Sequence, residues 1–248
     1  MSLFSYFSKD ERQKRAVAGA VAKANSKHMP KDYRRAALSQ VIETARQGDT
    51  SAINGLVARF SVFAEPSIED EEEKEWIHEE LVQIGKPALP ALFKAVEGGA
   101  ESISFHLRTL EHILSEAEYN EKLLEIINKF DTEYERNPDR KIQLIVAIGD
   151  RNDPRIPKAI VRFLEDVDET VRFNAVKALA RHRDEESCRE PFIRLLLRDE
   201  SQRVKDELVE ILGELQWSVH GYRKEVEAAL PSGCRLDRQG TIKKAPKR

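Results

Sequence analysis

The sequence predicts an all-α protein, an α-solenoid made of about six stacked helix pairs. Three observations carry this. Apolar residues recur at helical spacing along most of the chain, and the strict alternation of a half-buried strand is almost absent. Short helices come in twos joined by brief turns, and one stretch repeats itself after 33 residues. Of the 248 residues 40% are apolar and 34% charged, which suits a thin, extended core better than a thick globule.

The elements follow in order. Segment 8–26 opens with Ser8 and Glu11, an S-x-x-E capping box, and continues along an Ala/Val-rich face. Pro30 separates it from a helix over 31–47, which Gly48 ends, and another helix follows at 50–61. The acidic stretch EDEEEKEWIHEELVQI reads as a helix from Ser67 to Ile84, with Trp76, Ile77, Leu81, Val82 and Ile84 on one side. In "IGKPALPALFKAV" (84–96), Gly85, Pro87 and Pro90 interrupt a helical pattern, so a corner is expected there. Gly98-Gly99 makes the next break. Helices are expected at 101–114 and 116–135, the second opened by the capping box Ser115 and Glu118. Asn137-Pro138 and Asp153-Pro154 each restart the chain, with a capping side chain followed by a proline suited to a first helical turn. Further helices are expected at 168–182, 187–198, 201–215 and 219–230, and Pro231 stops the series.

Placing FLEDVDETVRFNAVKALA (163–180) over LLRDESQRVKDELVEILG (196–213) pairs Asp166 with Asp199, Val171 with Val204, Val176 with Val209 and Leu179 with Leu212. Six helix pairs emerge, at about 31–61, 67–97, 101–135, 137–166, 168–198 and 201–230. A single pair has too little apolar surface to stand alone, and stacking buries a continuous slab between two helical layers. The expected organisation is an N-terminal helix and cap at 1–30, a repeat array at 31–230, and a basic, disordered tail at 231–248.

Asp168-Glu169-Thr170-Val171-Arg172 with Ala175 and Ala178-Leu179 resembles a HEAT repeat. So does IGKPALPAL, which looks like the turn and second helix of the HEAT-like repeats also found in phycobilisome lyases. The resemblance covers about 31–230. It implies a non-catalytic scaffold, and it implies that Arg172 is structural, joining an inter-repeat ladder with an aspartate. Lys205 holds the matching position in the next repeat. Gly85 then closes a first helix, and Pro87 fits the first turn of a second. Pro90, one turn further in, should cost at most one hydrogen bond.

Candidates for chemistry are few. His78-Glu79 resembles the His-Glu pairs with which deoxyhypusine hydroxylases, also built of HEAT repeats, hold iron. The equivalent positions here are Ile142-Gln143, Phe173-Asn174 and Asp206-Glu207, so the ligand set is incomplete and a solvated face is expected instead. The remaining histidines (His28, His106, His112, His182, His220) show no HExxH spacing. Cys188 is expected to be buried in a helix, and it and Cys234 show no CxxC pattern, which suits a reducing, cytoplasmic setting. The N-terminus MSLFSYFSKDERQKR lacks the long apolar core of a secretory signal, and no apolar run is long enough to span a membrane. No catalytic residue, cofactor or metal is expected. Trp76 is expected to pack between helices and Trp217 to sit at a turn. An alternative reading, a nucleic-acid binder similar to the HEAT-like alkylpurine glycosylases, would need them as stacking platforms.

Charge distribution says more. The net charge is −3, which gives no overall drive toward nucleic acid. Residues 65–80 hold nine acids against Lys74, whereas 9–35 and the tail are basic. The acidic run is expected on a solvated face. The exposed second-helix residues Lys94, Lys158, Arg162, Arg194, Arg198, Arg223 and Lys224, diluted by Glu190 and Glu227, are expected to form a modestly basic surface. The expected partner is another protein, acidic or helical, with no nucleic acid and no membrane span. A lyase or metal-dependent HEAT enzyme is the remaining alternative. Leu3, Phe4, Tyr6 and Phe7 are expected to cap the open end of the array, with docking of a partner as the alternative, and oligomeric state is left open.

Overall fold

The computed structural model describes residues 9–98, 100 and 102–244. The aromatic and leucine residues expected as an N-terminal cap (Leu3, Phe4, Tyr6, Phe7) and the capping residue Ser8 lie outside them, as do Lys247 and Arg248. The chain divides into two compact units, Met1–Tyr119 and Asn120–Arg248, where the sequence suggested one array over 31–230. The division falls inside a helix, Glu116–Ile127.

In the first unit the helices are α1 (Lys9–Ala24), α2 (Lys31–Arg46), α3 (Thr50–Arg59), α4 (Ser67–Ile84), α5 (Leu89–Glu97) and α6 (Ser104–Ile113), followed by the start of α7 (Glu116–Ile127). Helices α2, α4 and α6 pack in sequence as one layer, and α3 and α5 form the second, with α1 against α2 and α3. Leu38, Leu56, Ile77, Leu81, Leu92 and Leu110 fill the slab between the layers. Asp49 caps α3 by accepting from the Ala52 N–H at 2.9 Å. The capping box before α7 is complete: the Ser115 N–H donates to Glu118 Oε2 at 2.9 Å, and the Glu118 N–H returns to Ser115 Oγ at 3.3 Å.

The corner in IGKPALPALFKAV is built as the sequence implies, with one refinement. Gly85 ends α4 at φ +72° and ψ −137°, a conformation open to glycine and strained for other residues. Lys86–Ala88 then form a single 3₁₀ turn containing Pro87. Because α5 starts only at Leu89, Pro90 occupies its first turn, where the missing N–H has no helical partner to lose.

The second unit continues with α8 (Asp139–Gly149), α9 (Ile156–Ile160) tightening into a 3₁₀ segment over Val161–Glu165, α10 (Glu169–His182), α11 (Glu185–Arg198), α12 (Gln202–Leu215) and α13 (Arg223–Ala229). Helices α8, α10 and α12 pack as one layer; α9 with its 3₁₀ extension, α11 and α13 make the other. Gly149 sets the spacing of the first layer: a Cβ there would lie 2.5 Å from the Ala178 Cβ, so α8 and α10 touch almost backbone to side chain. The helix expected to reach 135 stops at Ile127, because the polar run through Asp131 and Asn137-Pro138 offers no apolar stripe to bury. The connection is tied down instead, with the Val167 N–H donating to the Thr132 carbonyl at 3.1 Å.

The tail expected to be disordered from 231 onward is corrected over 234–244. There β1 (Cys234–Leu236) and β2 (Ile242–Lys244) form an antiparallel hairpin with Leu236 opposite Ile242. The polar composition hid two apolar residues placed to face each other across a turn, and both are buried. The Asp237 carboxylate builds the turn, accepting from the N–H groups of Gln239 and Thr241 at 2.9 Å each. Strand β2 packs on α12, and the Val219 N–H donates to the Gly240 carbonyl at 2.9 Å.

Candidate functional site

The charged residues sort into those that hold the fold and those left outside. In the first unit the acidic run is a solvated face only in part, with Glu71, Glu72 and Glu79 exposed. Helix α4 turns Asp70, Glu73, Lys74 and Glu80 inward, and Arg34 of α2 and Arg59 of α3 meet them, with Arg59 wholly enclosed. Arg34 Nε donates to Glu73 Oε2 at 2.7 Å, while Arg59 Nη2 donates to Asp70 Oδ1 at 2.5 Å and Glu73 Oε2 at 2.8 Å. Lys74 closes the chain onto Asp70 at 2.7 Å, and Arg46 clamps Glu80 with two bonds. Burial alone would raise the Asp70 carboxyl; hydrogen bonds from Lys74 and Arg59 more than offset it and hold the group below the usual carboxylate range. The sequence did carry a signal for this. Arg34 stands one helical turn before the buried Ala37 and Leu38, and Arg59 lies beside Phe60 on the apolar side of α3. A cation on an apolar stripe implies a buried anion facing it.

His78 is likewise buried, contrary to the solvated face expected for it, while Glu79 remains exposed. Its Nδ1 lies 2.9 Å from Thr109 Oγ1, and its ring meets His112 edge-on at 5.0 Å. Burial pushes the His78 imidazole below its ordinary value, with the nearby Arg108 adding to that. His106 is fully enclosed, edge-on to Phe60 at 5.2 Å, and burial lowers it to about 4. Among the described residues no three or more His, Cys, Asp or Glu side chains are grouped to hold a metal ion. Cys188 is buried as expected, and burial pushes its thiol up to about 12, so it stays protonated and inert. Trp217 sits at its turn buried against Phe192, with ring centroids 5.8 Å apart. Trp76 donates its indole N–H to Glu80 at 3.3 Å. Both tryptophans are engaged in the fold.

Arg172 forms the expected ladder. Its Nε and Nη2 donate to the two oxygens of Asp199 at 2.7 and 3.0 Å, and Nη1 donates to the Asp166 carbonyl at 3.0 Å. One repeat earlier, Lys141 donates to Asp166 at 2.8 Å. Each aspartate also receives the N–H two residues on, from Asp168 and Ser201 respectively. Burial would raise the Asp199 carboxyl, and Arg172 with the Ser201 N–H reverses that to a net lowering.

The second-helix layer of the second unit carries exposed charges gathered around a groove. A groove of about 520 Å³ runs between the 3₁₀ segment and α11, lined by Arg162, Glu165, Glu186, Glu190, Arg194 and Arg198 around Pro191. Six of the seven cations expected as a binding surface belong to this unit, and Lys94 belongs to the first, beside Asn54 and Ala91. The groove brings Arg162, Arg194 and Arg198 together, with a glutamate near each exposed arginine. Arg194 pairs with Glu190 at 2.5 Å and Arg198 with Glu165 at 3.2 Å; beyond the groove, Arg223 pairs with Glu227 at 3.4 Å. Tyr222 donates its hydroxyl to Glu190 at 3.0 Å. Arg162 is half-buried, its Nη2 bonded to the Ile127 carbonyl at 2.6 Å and its guanidinium 4.8 Å from the Phe163 ring. Lys158, exposed, lies near Asp184 at the start of α11. The surface is patterned in both signs rather than plainly basic.

No described helix is long and apolar enough to cross a membrane. Comparison with curated proteins and with solved structures gives no match. Residues 121–213 match the family model of HEAT repeats, a stretch that runs from within α7 into α12 and contains both rungs of the aspartate ladder.

Proposed function

We propose that this chain is a non-catalytic protein-interaction module that receives a helical, mixed-charge partner along the second-helix layer of its second unit. One observation supports it above the rest: Glu186, Glu190, Arg194 and Arg198 recur every four residues on the exposed side of α11 and share one groove. Residues at this spacing form a single ridge, the geometry that meets another helix. Of the two partner chemistries the sequence suggests, helical is retained, because the glutamates interleaved with the arginines disfavour a purely acidic ligand. HEAT repeats are commonly interaction scaffolds, which agrees with this reading. The likeness of IGKPALPAL to phycobilisome lyases is one of corner geometry and brings no bilin chemistry with it. The test is affinity capture with tagged protein, wild type against Arg194→Glu/Arg198→Glu, read by mass spectrometry. Specific partners should be lost from the variant, and an unchanged set of captured proteins would sink the proposal.

A further inference from the structure

The pattern on this layer has a symmetry of its own. Along α11 the ridge reads acid, acid, base, base, from Glu186 to Arg198, over about 18 Å. Turned end for end against itself, it sets Glu186 opposite Arg198 and Glu190 opposite Arg194, each twice. The flanking elements obey the same rule. Helix α9 with its 3₁₀ extension runs in the direction of α11, since Lys158 lies near the start of α11 and Glu165 pairs with Arg198 at its end. On one side the order is basic to acidic, from Lys158 and Arg162 to Glu165; on the other it is again basic to acidic, from Arg223 and Lys224 to Glu227. A two-fold axis lying in the contact plane, across the middle of α11, reverses direction and keeps each side over its own counterpart. It therefore brings Lys158 and Arg162 over Glu165 of a second copy, and Arg223 and Lys224 over its Glu227. A parallel alignment of two ridges would instead place glutamate on glutamate.

Resting on the reading that this layer is a binding surface, we infer that its occupant is a second copy of the chain, docked antiparallel through α11. Such a contact is isologous and closes on itself as a dimer. The pairs now made within the chain, Arg194 with Glu190, Arg198 with Glu165 and Arg223 with Glu227, are exposed and hold their partners weakly, so they exchange at little cost. Because charge rather than apolar area dominates the contact, the dimer is weak and sensitive to salt.

Sedimentation of the full chain tests this. Wild type should self-associate at about 10–100 μM in low salt, and raising salt from about 0.05 to 0.5 M should weaken the dimer at least tenfold. Arg194→Glu/Arg198→Glu, an all-acidic ridge, and Glu186→Arg/Glu190→Arg, an all-basic one, should each be monomeric alone and form a one-to-one dimer when mixed. The fourfold variant that inverts the ridge should self-associate again. Thermal melts of every variant establish that each is folded. A wild type that stays monomeric at about 100 μM, an all-acidic variant that dimerises undiminished, or the absence of a mixed dimer would each overturn the inference. A monomeric wild type whose capture of another protein is lost in Arg194→Glu/Arg198→Glu would overturn self-pairing and leave the binding surface standing.

Discussion

Arg59 has no exposed surface, yet it carries a full charge between Asp70 and Glu73. Taking such an ion out of water is tolerable only because both carboxylates receive it, so removing it leaves two enclosed anions short of a partner. Arg59→Ala should cost about 3–5 kcal/mol, read as a fall in the urea midpoint; a loss below about 1 kcal/mol would show that the cluster is not holding the layers. His106 makes the acid side of stability visible. Its folded value is depressed to about 4 from 6.5, so the unfolded chain binds the proton first as pH falls. Stability from this group is complete above 6.5 and declines until about 4, by something on the order of 3 kcal/mol. His106→Phe should flatten melting temperature against pH across that window. A slope identical to wild type would assign it to His78 and His182, whose imidazoles burial also lowers. The Asp70 carboxylate contributes in a lower window, since its stabilisation is lost only as pH falls through its depressed value.

At the scale of elements, the helices were legible because their signals are local. Apolar spacing, capping residues and breakers located α2, α4, α10 and α12 within a residue or two. Elements that depend on distant partners were not. The helix after Ser115 was read too long because no proline or glycine interrupts the chain between Ile127 and Pro138, and the polar run that ends its apolar stripe carries no breaker of its own. The inward side of α4 was read as solvent because, apart from Lys74 on Asp70, its buried anions are matched from α2 and α3. The hairpin escaped because two short strands give no periodicity, and its pairing is set by contact with α12. That hairpin covers the last first-layer helix, with Ile242 against Gly213 and Lys244 bonded to Glu210 at 3.1 Å. Deleting 231–248 removes the burial of Leu236 and Ile242, worth about 3–5 kcal/mol as an upper bound. Melting temperature should fall by several degrees, and an unchanged melt would show the hairpin to be a passenger on α12.

Over the whole molecule, the two units solve one problem in different ways. Both stack helix pairs in two layers, and both must anchor charged side chains inside. The first uses a single cluster in which Arg34, Arg59, Asp70, Glu73 and Lys74 each occupy a unique place. The candidate surface in the second unit was legible only in part. Its arginines and the same-helix acids Glu190 and Glu227 could be named from the helical spacing, but Glu165 reaches Arg198 from a neighbouring element, and only the fold shows that pair.

The ladder has a consequence for how such a chain lengthens. The 33 residues 167–199 contain both halves of a rung, Arg172 and the Asp199 that receives it, together with the two helices between which it lies. Copied in tandem, that block supplies its own acceptor, and the arginine of the copy meets the carbonyl of the Asp199 before it. No charge is orphaned at the seam. In the first unit no single helix pair is self-contained in this way, since Arg34 and Arg59 lie on one pair and the anions of α4 on the next. Gene duplication could therefore extend this protein within its second unit one repeat at a time, whereas its first unit would have to be copied two pairs together.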